Sequence, residues 1–271
     1  MTSSDVLTIE RDGPVATLWL DREQQRNAMG PAFWADLPDA MAELGEDDGV
    51  RAVVLAARGP HFTVGLDLKT MGIGGGGAKR SAAARASAFL SQVKRLQRSI
   101  TSVADCPKPV IAAVHGACIG GGIDLITACD IRLASADAYF SVRETKIAIV
   151  ADVGTLQRLP RIVGQGHVAE LAFTGKDISA ARAAEIGLVN EVLGDVDALH
   201  KAAHEMAAEI AANSPLAVMG TKAVLAACAD RSVEDGLDYV AVWNAAFLAS
   251  DDLNEALAAF LEKRPPNFTG Q

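Results

Sequence analysis

Residues 115–130 read HGACIGGGIDLITACD, three consecutive glycines running directly into the helical pattern that begins at Ile123. The segment before them, PVIAAV at 109–114, is short, β-branched and apolar, which is the composition of a buried strand. Strand, glycines and helix therefore follow one another closely. Amides at a helix start have no intrahelical acceptor. They also lie at the positive end of the helix dipole, so the junction suits a developing negative charge better than a neutral group. No Gly-Lys-Ser/Thr completes the glycines, which excludes a P-loop.

Outward from this junction, VATLWL at 15–20 and VRAVVLA at 50–56 read as strands, with a helical pattern over 31–44 between them. Residues 131–134 and 139–142 read as further strands. Strands and helices alternate, so the class is α/β. From about Leu199 the strand signals stop and helical patterns remain, beginning at Ser214-Pro215 and at Ser232, with Asp235 three residues on as in a capping box. The expected division is a core over 1–198 and a helical region over 199–271. The apolar positions Tyr239, Val242, Trp243, Ala246, Phe247 and Leu257 exceed what a peripheral helix hairpin needs, which points to packing on a neighbouring subunit.

A chain of 271 residues can bury a large core, with about 75% of the unfolded surface removed from water at this size. Its formal net charge of −9, with no basic run, argues against nucleic acid as a partner. Cys106, Cys118, Cys129 and Cys228 form no CxxC pair and sit in apolar stretches, so they read as free thiols in a reducing compartment. The first ten residues lack the basic-then-apolar pattern of a signal peptide, no apolar run reaches membrane-spanning length, and the terminal Thr-Gly-Gln is no peroxisomal address. A soluble cytoplasmic protein without membrane partners is expected. The glycine run GIGGGG at 72–77 matches GxGxxG, but no strand enters it and no acidic residue follows a second strand, so it reads as a mobile loop and not as a dinucleotide site. His200 and His204 are spaced as metal ligands can be, yet HKAAHE lacks HExxH and a third ligand, so no metal is expected. His61 and His115 read as packed or hydrogen-bonded histidines.

A second segment, HFTVGLDLKTM at 61–71, ends a strand at Gly65, where a tight turn can aim the Leu66 amide into a cleft. Taken alone it is an ordinary strand-to-helix corner. Two converging amides, however, are what an acyl-thioester reaction requires at the carbonyl oxygen that gathers enolate charge.

The pair VGLDLKTM and HGACIGGGIDL resembles the paired oxyanion-hole segments of the enoyl-CoA hydratase/isomerase (crotonase) superfamily, and the likeness runs from Arg26-Asn27-Ala28 to the closing FLEKRPPNF at 260–268. The resemblance implies a crotonase-type spiral of β-β-α turns, a C-terminal helical region that forms a homotrimer or a hexamer of two trimers, an acyl-CoA substrate, and no metal or redox cofactor. It makes the amides of Leu66 and Gly121 the oxyanion donors, and Arg26, Ala28, Val64, Asp67, Lys69 and Lys263 the substrate or coenzyme A contacts. The basic residues among these read equally well as solvated surface charge.

Three carboxylates, Asp124, Glu144 and Asp152, decide the reaction. On their own they read as a helix-dipole partner, a strand-end charge beside Arg143 and Lys146, and an N-cap. Hydratases of the superfamily carry glutamates at the positions matching Asp124 and Glu144. The dienoyl-CoA isomerases carry Asp, Glu and a further Asp within a segment like ADVGTLQRLP at 151–160, and this chain is similar to them at all three. The resemblance then implies that Asp152 takes a proton from C2, Glu144 delivers one to C6, and Asp124 holds the site's charge. Clustered carboxylates in an apolar cleft should have raised proton affinities. An enoyl-CoA hydratase and a non-catalytic acyl-CoA-binding protein are the rival readings.

Overall fold

The computed structural model describes residues 4–71 and 81–271. The glycine run at 72–77 lies outside the described residues.

The strands are β1 (Leu7–Asp12), β2 (Val15–Leu20), β3 (Ala52–Ala57), β4 (Val110–Val114), β5 (Ala117–Ile119), β6 (Ile131–Ser135), β7 (Tyr139–Ser141), β8 (Ile178–Ser179) and β9 (Glu191–Leu193). The helices are α1 (Pro31–Glu46), α2 (Ala82–Asp105), α3 (Gly121–Ala128), α4 (Thr155–Arg158), α5 (Gln165–Thr174), α6 (Ala180–Glu185), α7 (Val196–Ala211), α8 (Pro215–Cys228), α9 (Val233–Phe247) and α10 (Asp251–Glu262). Six strands make one sheet in the order β1-β2-β3-β4-β6-β9, antiparallel at β1–β2 and parallel beyond. A small sheet, β5-β7-β8, stands beside it.

The α/β class expected from the sequence is observed, and the reason lies in the composition of the strands. Strand β3, AVVLAA, is buried at every position. Val53, Leu55 and Ala57 face the larger core cluster, and Ala52, Val54 and Ala56 face the smaller one. A parallel strand covered on both faces reads as a continuous apolar run rather than an alternating one. The larger cluster takes Phe33, Trp34, Leu37, Met41 and Leu44 from α1, whose spacing places them on one helical face. The smaller cluster is closed by Leu199, Ala203, Ala207 and Ala211, a stripe at every fourth residue of α7. The first helix of the C-terminal stretch thus lies directly on the sheet.

One expectation needs correcting. The strand that feeds the glycines is β5 and not β4. The chain leaves β4, turns at Gly116 with φ +55°, and enters the small sheet before reaching the glycines. A Cβ at Gly116 would stand 2.2 Å from the Pro60 carbonyl oxygen, so the turn depends on that glycine. The segment Ala117–Ile119 is too short to give a periodic signal.

The C-terminal helices start where serines mark them. The hydroxyls of Ser214, Ser232 and Ser250 accept from the amides of Ala217, Asp235 and Leu253. No single helix among the described residues is long and apolar enough to cross a membrane. The four cysteines are unpaired, and Cys106, Cys118 and Cys129 are buried.

Candidate active site

A cleft opens where the glycine junction meets the segment around Gly65. The backbone of residues 26–29 runs beside residues 63–67 as an added strand: Val64 N donates to Arg26 O at 3.2 Å, Met29 N to Gly65 O at 2.8 Å and Asp67 N to Met29 O at 3.0 Å. The Thr63 hydroxyl donates to Asn27 O at 2.6 Å. Gly65 has φ +83°, and a Cβ there would lie 2.6 Å from Ile119 O and 3.4 Å from Gly121 N. Only glycine lets these two backbones approach so closely.

The amides of Leu66 and Gly121 flank that approach. Neither donates a hydrogen bond to another described residue. The Leu66 amide is skipped because its neighbours on both sides bond to Met29, and the Gly121 amide is skipped because it opens α3. Both residues line the cleft, and Val64 lines it with them.

The three carboxylates enter the same cleft. Asp124, in the first turn of α3, is buried and its Oδ1 accepts from Thr155 N at 2.5 Å. Burial lifts its carboxyl to about 6, with the Asp152 charge adding to the effect and hydrogen bonding from Thr155 opposing it. Glu144 opens the 3-10 turn Glu144–Ile147 after β7, and its Oε2 is buried without a hydrogen-bond partner among the described residues. Burial first, and then the Asp124 charge, push this carboxyl up to about 7. Asp152 lies two residues ahead of Gly154, which is the N-cap of α4, so Asp152 is not the N-cap. Burial raises its carboxyl above the ordinary range. Its main-chain oxygen accepts from Gln97 Nε2 of α2 at 2.6 Å.

Apolar side chains close the walls: Trp34, Leu68, Leu96, Ile119, Ile147, Ile149 and Val153. Sequence reasoning missed these as cleft residues. Trp34 and Leu96 carry helical periodicity that reads as core, and nothing in their spacing says that one edge faces a cavity.

The remaining expected contacts lie elsewhere in this chain. The Asp67 carboxylate pairs with Arg22 at 2.9 Å and accepts from the Lys69 amide at 3.1 Å. The Arg22 guanidinium holds it below the usual carboxylate range. Asp67 therefore braces the turn after Leu66 and does not line the cleft. Ala28 O is occupied by Arg22 Nη1 at 3.0 Å. Arg26 and Lys69 are exposed, and Lys263, with φ +55°, ends α10 on the surface. None of these lines the cleft. His115 donates from Nε2 to Gly59 O at 2.8 Å, and His61 Nδ1 accepts from Ala117 N at 3.2 Å. His200 packs edge-on against Trp19, whereas His204 turns to Asp12 at 3.0 Å, so the two do not share a ligand position.

The chain is similar to known proteins over nearly its whole length. Residues 10–271 match the family model described as enoyl-CoA hydratase/isomerase. A protein of Arabidopsis thaliana named Delta(3,5)-Delta(2,4)-dienoyl-CoA isomerase, peroxisomal, is 46% identical, over 97% of this chain and 96% of its own length. A Homo sapiens protein named Delta(3,5)-Delta(2,4)-dienoyl-CoA isomerase, mitochondrial, is 44% identical over 90% of this chain and 75% of its own. Among solved structures, an enoyl-CoA hydratase from Bacillus anthracis superposes with TM-score 0.89 at 33% identity, covering 98% of this chain and 100% of its own.

These names overturn the expectation of a cytoplasmic protein, since relatives this similar are named peroxisomal and mitochondrial. Sequence match over nearly the whole length, together with a shared α/β fold at high similarity, leads to one conclusion: the chain belongs to the enoyl-CoA hydratase/isomerase family.

Proposed function

We propose that this protein isomerises 3,5-dienoyl-CoA to 2,4-dienoyl-CoA. The observation that carries the reading is the convergence of Asp124, Glu144 and Asp152 on one apolar cleft beside two amides without acceptors among the described residues. Relatives bearing the dienoyl-CoA isomerase name at 46% and 44% identity support it over the hydratase reading, which rests on structures at 33%.

In this reading the thioester oxygen takes hydrogen bonds from Leu66 N and Gly121 N. Charge that builds on that oxygen meets donors already in place, at the positive end of α3. Asp152, ionised, removes a proton from C2, and the electron pair spreads through the diene to the oxygen. Glu144, protonated, delivers a proton to C6, and conjugation with the thioester is established. The two carboxyls end the turnover with exchanged protonation states and reset with solvent. One carboxylate does not reach both ends of the diene, which is why two are needed. Each transfer is worth roughly 10² to 10⁴ in rate. A Glu144 carboxyl near 7 suits a group that must hold a proton at neutral pH. The apolar walls favour a hydrocarbon tail over the positioned water that hydration needs.

No metal or redox cofactor has a part in this chemistry. Coenzyme A contacts are assigned, in the same proposal, to Arg26, Ala28, Val64, Lys69 and Lys263. Self-association through residues 199–271 as a homotrimer or hexamer belongs to the proposal too. It is supported by the exposed apolar side chains Leu225, Val233, Leu237, Val242, Leu257 and Phe260 on α8 to α10.

The test supplies a 3,5-dienoyl-CoA and a 2-enoyl-CoA to the wild-type protein and to Asp152→Asn, following diene absorbance and hydration separately. Isomerisation should dominate in the wild type and fall at least about 100-fold in the variant, with acyl-CoA binding retained. Faster hydration would favour the hydratase, and binding without turnover of either substrate would favour a non-catalytic acyl-CoA-binding protein.

A further inference from the structure

We infer that Met29 and Trp34 are positioning residues that set the separation and aim of the two amides assigned to the thioester oxygen. The inference rests on the oxyanion reading of Leu66 and Gly121 given above.

Met29 touches both sides of the pair. Its backbone brackets Leu66, with its amide donating to Gly65 O at 2.8 Å and its carbonyl accepting from Asp67 N at 3.0 Å. Leu66 is thereby pinned at the residue before and the residue after, and its own amide is left to face the cleft. The Met29 side chain, fully buried, packs on the other partner: a Cβ at Gly121 would stand 2.8 Å from Met29 Sδ. One residue thus spaces the Leu66 backbone from the Gly121 backbone, through a carbonyl on one side and a thioether on the other.

Trp34 locks this spacer. Its Nε1 donates to Met29 O at 3.1 Å, the second hydrogen bond that carbonyl accepts. The far edge of its ring lies 4.0 Å from a Cβ at Gly121, so the same indole also backs the second amide. The ring is held in turn by an edge-on contact with Phe33 at 5.2 Å between centroids. Tryptophan here supplies a buried N–H aimed at a backbone carbonyl, which a purely apolar core residue would not. Since amide donors act only when aimed at the oxygen's position in the transition state, a small displacement of either amide weakens them together.

The experiment uses Trp34→Phe, which keeps an aromatic ring and removes the N–H, with Met29→Ala and Met29→Leu as a second series. Two quantities are read: kcat with KM for the dienoyl-CoA, and the carbonyl stretch of a bound 13C-labelled thioester by Raman difference spectroscopy. Trp34→Phe should lower kcat by about 10- to 100-fold, change KM less, and move the carbonyl stretch back toward its value in water. Met29→Ala should do the same, and Met29→Leu should restore most of the lost rate. A wild-type protein that leaves the carbonyl stretch at its value in water would remove the oxyanion reading itself. A shifted stretch in the wild type that Trp34→Phe and Met29→Ala both preserve, with kcat unchanged, would overturn the positioning role alone. Should Trp34→Phe not fold, the Met29 pair decides.

Discussion

Asp124 and Thr155 are joined by a hydrogen bond of 2.5 Å between the aspartate Oδ1 and the threonine amide, which ties the first turn of α3 to the turn that carries Asp152. The contact links the amide side of the cleft to the segment that carries another of its carboxyls. An aspartate in this place is therefore a brace as well as a charge.

Asp124→Asn keeps an acceptor for the Thr155 amide, and Asp124→Ala does not. At pH 5.5 the alanine variant should lose about 1–3 kcal/mol of stability, the usual consequence of leaving a buried donor unpaired, and more activity than the asparagine variant. Urea denaturation and kcat measured side by side check this. Equal behaviour of the two variants would mean that the brace does not matter.

The pH–rate profile should be bell-shaped. Activity in kcat/KM should fall on the alkaline side as Glu144, lifted to about 7 by burial, loses the proton that the proposed mechanism has it deliver. The acid limb should report protonation of Asp152. Because the three carboxyls interact, each limb belongs to the cluster and not to one residue. Glu144→Gln should cost roughly 10² to 10⁴ in kcat, and its residual activity should lack the alkaline limb near 7.

Stability should fall toward alkaline pH through two of the same groups. Asp124 and Glu144 bind protons more tightly when folded than when unfolded, at about 6 and about 7 against 3.8 and 4.5. Their contribution is complete below pH 3.8 and is lost as pH rises through 6 and 7. Glu144→Gln and Asp124→Asn should thus gain stability relative to wild type at pH 8 and lose that advantage at pH 5. Chemical denaturation at the two pH values reads the difference, and a pH-independent offset would count against buried, proton-holding carboxyls.

Gly65→Ala should impair both folding and catalysis. The position needs φ +83°, and the added methyl would meet Ile119 O at 2.6 Å. The backbone cost alone is of order 1–3 kcal/mol, and relief of the clash must push Leu66 away from Gly121. A drop in kcat of about 100-fold or more, with acyl-CoA still bound, is expected from steady-state kinetics and isothermal titration. Retention of full activity would show that the close approach is not needed.

Local chemistry made much of this legible in advance. The short apolar runs of β2, β3 and β4, alternating with helical patterns, announced the α/β class, because strand and helix periodicities are read from local composition. Ser214 and Ser232 announced the helices they cap, because an N-cap is decided within four residues. The glycines at 120–122 and at 65 stood out because only glycine permits what the backbone does there. The aspartates and the glutamate were legible as candidates through the resemblance of their segments to a known family, since each alone reads as a cap or a surface charge.

Other features exist only once the chain is folded. The short strand β5 and the turn at Gly116 carry too few residues for a periodic pattern, and the strand is defined by its partner β7. Trp34 and Leu96 look like core residues in sequence, and the cavity beside them is made by α1, α2 and the turn after β7 together. Asp67 looked like a substrate contact until Arg22, distant in sequence, claimed its carboxylate. By itself, then, the sequence determined the class of the fold and the places of its glycines, because those follow from local backbone sterics and residue type, while the set of carboxyls came through the resemblance of their segments to a known family. Only the tertiary structure decided which groups share a cavity, which carboxyls hold their protons at neutral pH and how Met29 spaces two amides, because burial and distance are properties of the packed chain.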